Sequence, residues 1–489
     1  MDKKQQVENL IHKLKQITTG ALEKRNINTS LAALSVAAKT LYMFNQFYTD
    51  DELEELTAQV GDEIKAKYHR AKYNKAQDCI LLYDGFGLDT RGVVLMYLNA
   101  LGKNGYKVYY VTNRKVKDQI PTIKKLCEKY NIQMLYIDMT HYERWCIQLT
   151  QVFEKIRPRA AFFYTTPFDS SACAAFHIYE GLCKRFLIDL TDHAYWLGKC
   201  ANDFFLGSRE MSAYIQHDER RISKEKCIKL GVNLLVEEWD DHSGLPFDVE
   251  KDEYVFSGGT LYKTLGDSSN TYYKIVHHIL EKHSKIKFIY AGTGDDSELK
   301  KIIAEFPNRA FHINERKDFY YLIQNSVLYL NTYPMFGGMM MKYSALAHRL
   351  PITLKHGSDS DGLLLHQKEC QIEYSNYEDL ITDVDRLLED SNYRTEREKL
   401  LDGSVITEER FVNNVRGLIE KNETDYTHAF LKLDTTEFRK EYYKRFNYNQ
   451  NMMCIVNQLN LELFWYFPAI FVSGISKKIF NKIAKKGLK

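Results

Sequence analysis

Three glycine-bearing stretches and one lysine are the residues best suited to hold an anionic ligand. Phe256-Ser-Gly-Gly-Thr-Leu-Tyr-Lys263 follows one apolar run, and Tyr290-Ala-Gly-Thr-Gly-Asp295 follows the next. A third, Asn331-Thr-Tyr-Pro-Met-Phe-Gly-Gly-Met339, leads into a helical pattern that closes at Pro351. Gly337-Gly338 at a helix start would turn N–H groups and the positive end of the helix dipole toward a diphosphate. The Met339 N–H belongs to the same cradle, Gly258 and Gly259 border it from the first loop, and Lys263 adds a mobile positive charge. Leu187-Ile-Asp-Leu-Thr-Asp-His-Ala-Tyr-Trp-Leu-Gly198 offers different chemistry, because it carries Asp189, Asp192 and His193 just after a strand. An imidazole takes a proton near neutral pH and an adjacent carboxylate orients it, so His193 with Asp192 is the candidate acid–base pair. The competing expectation is a strand-end histidine bonded to a backbone carbonyl.

Other motifs are weaker. Asp84-Gly-Phe-Gly-Leu-Asp-Thr-Arg-Gly92 follows a strand and opens a helix, but a dinucleotide fingerprint needs glycine where Thr90 stands. Thr112-Asn-Arg114 does not supply the acid that such a site requires after the next strand, so NAD is not expected. Asp359-Ser-Asp361 has the form of a metal-binding D-x-D, yet it lies late in the chain, in a loop after a strand. No metal and no cofactor are expected. Met339-Met-Met341 reads as helix packing, and Arg209 as a structural residue of the turn after Phe204-Phe-Leu206.

The elements that must position these residues are short apolar runs alternating with amphipathic stretches. Residues 1–75 are helical, with Leu31, Leu34, Ala37, Ala38 and Leu41 at helical spacing. Between 76 and 250 six strands are predicted, beginning with Cys79–Tyr83, Val108–Val111 and Leu135–Ile137. Ala160–Tyr164, Phe186–Ile188 and Phe204–Leu206 complete them, and a polar linker spans Asp218 to Glu253. Between 251 and 420 five more appear: Tyr254–Phe256, Phe288–Tyr290, Ala310–His312, Val327–Leu330 and Ile352–Leu354. Strands alternating with helices imply parallel pairing. The fold class is therefore α/β: two doubly wound Rossmann-like domains facing a cleft, with helical N- and C-terminal extensions. Ligands of such sheets bind beyond the carboxyl ends of the strands.

Composition narrows the function. At 489 residues and 44% hydrophobic the chain exceeds one domain, and a net charge of +2 does not suit a nucleic-acid binder. Nine cysteines with no C-x-x-C pair suggest buried thiols, and the Met1-Asp-Lys-Lys4 start has no apolar signal region, which predicts a cytoplasmic protein. Residues 421–489 form the last extension. Its uncharged stretch 463–476 is too short to span a bilayer and is followed by Lys477, Lys478, Lys482, Lys485, Lys486 and Lys489. Two readings stay open: an anchor on the inner face of an anionic membrane, or a terminal helix packed back across the domains.

The order of the glycine motifs resembles the nucleotide-sugar domain of GT-B glycosyltransferases, especially the family-4-like group. In that group a strand ends in glycine with a lysine soon after, a second ends in Gly-x-Gly, and a glycine loop opens a helix ending in Ala-x-Gly-x-Pro. The counterparts are Gly258-Gly259 with Lys263, Gly292-Thr-Gly294, and Gly337-Gly338 through Ala345-Leu-Ala-His-Arg-Leu-Pro351. The resemblance extends over roughly residues 78 to 395. It implies a hexosyltransferase using a nucleotide-diphosphate sugar, with a glycan or lipid-linked acceptor in bacterial glycan or cell-envelope synthesis. It also implies that Gly292, Gly294, Tyr343 and Ser344 meet the donor nucleoside, and that Gly85, Gly87 and Arg91 face its phosphates across the cleft. The group's ribose-binding Glu is replaced by Ser344, and its basic residue in the first glycine loop by Gly259 or Thr260. Alternatives are a non-catalytic partner of an active transferase, a sugar-nucleotide epimerase or a polyol-phosphate transferase. Oligomerisation stays open.

Overall fold

The computed structural model describes residues 2–68, 76–89, 92–236, 239–356, 362–457 and 461–472. Its first sheet contains β1 (Gln77–Asp84), β2 (Val108–Asn113), β3 (Gln133–Ile137), β4 (Pro158–Tyr164), β5 (Lys184–Ile188), β6 (Phe204–Gly207) and β7 (Cys227–Lys229). These seven strands run in the order β3-β2-β1-β4-β5-β6-β7. The second sheet contains β8 (Tyr254–Gly258), β9 (Lys287–Ala291), β10 (Ala310–Ile313), β11 (Leu328–Leu330), β12 (Pro351–Leu354) and β13 (Glu373–Tyr374). Its order is β10-β9-β8-β11-β12-β13, and every pairing in both sheets is parallel. Parallel strands covered on both faces read as unbroken apolar runs, which is why Ile80–Asp84 and Tyr254–Gly258 are buried throughout. Two short strands depart from the expected pattern. β7 lies inside the stretch assigned to the linker, and β13 has only two residues, too few to show a period.

Alternation along the strands sends side chains to two cores. Leu81, Tyr83, Ala161, Phe163 and Leu187 face one side, where the helices Lys3–Glu23, Ile27–Phe44 and Asp51–Tyr68 cover them. Leu31, Leu34, Ala37, Ala38 and Leu41 belong to that same buried cluster. The amino-terminal helices are therefore a layer of the first domain. Ile80, Leu82, Phe162 and Phe186 face the other side with helix Gly92–Lys103. Helix Glu408–Lys421, placed in the second unit by the sequence division, covers the first sheet there through Phe411, Val415 and Leu418. Its apolar stripe fits either sheet, so periodicity could not assign it.

The last extension also returns to the first domain. Phe446, Leu463, Phe467 and Phe471 are buried in the cluster of the amino-terminal helices, whereas Trp465 is 84% exposed. Ser473 and everything after it, including the six lysines, lie outside the described residues. Among the described residues no helix is long and apolar enough to cross a membrane. Because the helix Ile27–Phe44 is a structural layer, Leu34→Ala should lower the stability of the first domain by about 2–5 kcal/mol. Urea denaturation measures this, and a loss below about 0.5 kcal/mol would mean that the helix is not part of that core.

Candidate functional site

A cavity of about 430 Å³ opens between the two sheets, at the carboxyl ends of β5, β6, β7, β8 and β11. Its first-domain wall includes Val93, Met96, Asp189, Asp192, His193 and Arg209, and its second-domain wall Gly258, Gly259, Lys263 and the segment 335–342 except Met341.

The first wall is built on Asp192. Arg209 Nε and Nη2 donate to its two oxygens at 2.6 and 2.7 Å, and Ser212 Oγ donates to Oδ2 at 2.8 Å. Burial pushes this carboxyl upward, but the Arg209 guanidinium and then His193 outweigh it and hold it well below the usual carboxylate range. His193 Nδ1 lies 3.5 Å from Asp192 Oδ1. Asp192 is therefore an orienting group whose charge is already taken, and His193 is the half-buried group facing the cavity. Asp189 behaves oppositely. Burial and the neighbouring Asp192 charge raise its carboxyl well above the ordinary value, against Arg220 and Gln216. Its Oδ2 accepts from Gln216 Nε2 at 2.8 Å, and among the described residues its Oδ1 has no hydrogen-bonding partner.

Elements far away in sequence hold the His193 loop. Asn45, in left-handed conformation at the end of helix Ile27–Phe44, donates to His193 O at 3.0 Å and accepts from Tyr195 N at 3.2 Å. Glu54 accepts from Gly198 N and Cys200 N, both at 3.0 Å. Arg220 donates to the carbonyls of Ala194 and Trp196.

On the second wall, Lys263 and Lys342 both line the cavity, and among the described residues neither ammonium has a hydrogen-bonding partner. Desolvation lowers the pKa of Lys263. Desolvation first, and the Arg209 charge second, bring Lys342 from 10.5 to about 8. Gly338 and Met339 open the helix Gly338–Leu346, whose first N–H groups have no acceptor within the helix. Gly337 corrects an expectation: its N–H is spent on Asn331 Oδ1 at 2.8 Å, so it caps the loop while Gly338 and Met339 face the cavity.

Several expected site residues do not line the cavity. A Cβ on Gly292 would stand 1.8 Å from Gly259 O, so this glycine lets the two loops pack together. Gly294 is packed against Leu261 in the same way. Tyr343 rests on Phe319 and Tyr320 and donates to Leu235 O, and buried Ser344 donates to Arg349 O at 2.6 Å. A Cβ on Gly85 would come within 1.9 Å of Thr165 Oγ1, while Gly87 N donates to Asp84 Oδ1. Gly85 thus makes room for the loop after β4, while Gly87, at φ +60°, shapes its own turn. Arg91 and the Asp359-Ser-Asp361 motif lie outside the described residues.

No family model matches the chain. No curated protein matches it either. Solved structures do. A mutant O-GlcNAc transferase from Thermobaculum terrenum aligns over 88% of this chain and 82% of its own, with TM-score 0.50 and 13% identity. A UDP-N-acetylglucosamine 2-epimerase aligns over 72% and 98%, with TM-score 0.51 and 10% identity. A mutant TarM from S. aureus aligns over 70% and 99%, with TM-score 0.50 and 10% identity. The chain has the GT-B fold.

Within this GT-B cleft, Lys342, Tyr42, Tyr262, Phe438 and Tyr442 are among the lining residues that sequence reasoning missed. Lys342 stands four residues after Gly338, on the same helix face, and was hidden by the methionine run before it. Phe438 and Tyr442 share that spacing on the otherwise polar helix Thr436–Arg445. A lysine with lowered pKa imposes its full burial cost below that pKa, and the cost is relieved as pH rises toward the unfolded value. In the ligand-free protein, Lys342→Met should thus raise stability at pH 7 by on the order of 1–3 kcal/mol. The gap should shrink between about pH 8 and 10.5. Urea denaturation across this range checks it, and a gap that widens with pH would contradict the assignment.

Proposed function

We propose that this protein is a glycosyltransferase that moves a hexose-type sugar from a nucleoside diphosphate sugar to an acceptor hydroxyl. One observation carries the reading: two desolvated, unpaired lysines and a helix N-terminus line one wall of an interdomain cleft, and a half-exposed histidine lines the other. As the bond between the anomeric carbon and the phosphate oxygen breaks, negative charge grows on the departing diphosphate. Fixed cations and N–H groups around that position stabilise the transition state more than the ground state. Lys263, Lys342 and the N–H groups of Gly338 and Met339 fill this role, while Gly258 and Gly259 leave the backbone bare beside them. His193, oriented by Asp192, accepts the proton of the attacking hydroxyl.

The structures of Anabaena Alr3699/HepE and S. aureus TarM, which share the fold, were determined with UDP, which makes UDP the first nucleotide to test. The exposed Leu461, Trp465 and Val472, ahead of the lysine-rich end, support a stance on a membrane surface where a lipid-linked or envelope glycan acceptor is reached.

UDP should raise the melting temperature of the wild type, and Lys263→Ala should abolish the shift. His193→Ala should keep the shift and cut transfer from a UDP-sugar to acceptor by about 10²-fold. No shift with any nucleoside diphosphate would refute the reading. Release of an altered sugar without an acceptor would assign the cleft to epimerase chemistry instead.

A further inference from the structure

Four aromatic side chains line the cleft, two of them against His193 and one, Tyr262, directly before Lys263. Tyr42 comes from the helix Ile27–Phe44, Tyr262 from the loop after β8, and Phe438 and Tyr442 from helix Thr436–Arg445. The His193 ring lies 5.7 Å from Phe438, edge to face, and 6.4 Å from Tyr442, and those two rings are 5.0 Å apart. Tyr442 is within electrostatic reach of Tyr42, Tyr262 and Arg445. Tyr262 is 48% exposed, unusual for a ring that borders a cavity between two domains.

The helix carrying Phe438 and Tyr442 is fastened on both sides. Arg439 is paired with Glu219 of the first domain and lies over the Tyr48 ring at 4.6 Å. Arg445 donates to Leu265 O of the second domain at 3.2 Å and touches Met335 Sδ at 2.6 Å. The aromatic cluster is thus a built feature of the cleft.

Resting on the glycosyltransferase reading, we infer that Tyr42, Tyr262, Phe438 and Tyr442 form the acceptor subsite, and that its occupant is a pyranose ring. A pyranose carries an apolar C–H face and a rim of hydroxyls. The negative π-face of an aromatic ring attracts polarised C–H groups, and phenol edges supply hydrogen bonds to the rim. A lipid chain would be matched by branched aliphatic side chains, and a phosphate by the cations of the opposite wall. A sugar stacked on this cluster presents its hydroxyl beside His193.

Saturation-transfer difference NMR on UDP-loaded full-length protein tests this, with methyl glucoside, methyl galactoside and methyl N-acetylglucosaminide as probes and glycerol and ribitol as controls. Ring C–H protons of at least one pyranoside should receive saturation, and the two polyols none. Tyr262→Ala and Phe438→Ala should each cut the signal by about fivefold with the UDP melting shift unchanged, while Tyr442→Phe keeps most of it. Tyr262 is exposed enough for its variant to fold. No transfer to any pyranoside, equal transfer to glycerol, or full signal in both alanine variants would overturn the subsite. Failure of UDP itself to shift the wild type is a separate result and would remove the donor reading, and this inference with it.

Discussion

A carboxylate taken out of water stays charged only where cations and donors surround it, and Asp192 is the point at which this constraint shapes the cleft. Its two oxygens are shared among Arg209, Ser212 and, across 3.5 Å, His193. One buried charge thereby ties the turn after β6 to the loop after β5. Removing either member of such a pair strands the other, so the geometry is all-or-none. Lys342, on the opposite domain, feels the same pair through its charges.

The second constraint is covalently remote. The loop after β5, residues 189–203, has no hydrogen-bonding ladder of its own, yet its buried amides and carbonyls need partners. Asn45 and Glu54 from the amino-terminal helices, and Arg220 from beyond β6, supply them. These helices, which carry no chemistry themselves, hold the histidine in place. The same logic explains Gly292, whose missing side chain lets the Lys263 loop register on its neighbour through Gly259 N to Ala291 O at 2.9 Å.

The two walls differ in what they spend. The second-domain wall carries two lysines that, among the described residues, have no hydrogen-bonding partner and whose burial costs free energy. The first-domain wall is electrically settled, with Arg209 neutralised by Asp192 and the Asp189 carboxyl raised. The two sides of one cleft thus have opposite electrostatic character.

The sequence by itself determined the two sheets, eleven of their thirteen strands, the GT-B fold class and the cavity-lining Lys263, Gly258, Gly259, Gly337, Gly338, Met339 and His193. Those features follow from local signals, since apolar runs mark buried parallel strands and glycines mark their carboxyl ends. Tertiary structure alone decided the rest. Ser344 and Tyr343 turned away because their hydroxyls found carbonyls at Arg349 and Leu235, and Gly85 and Gly292 serve neighbouring loops because those loops pack within van der Waals reach. Tyr42, Phe438 and Tyr442 joined the cleft because chain segments hundreds of residues apart fold over one another. Such pairings leave no periodic trace, as a stripe of side chains records that a face is buried but not against what.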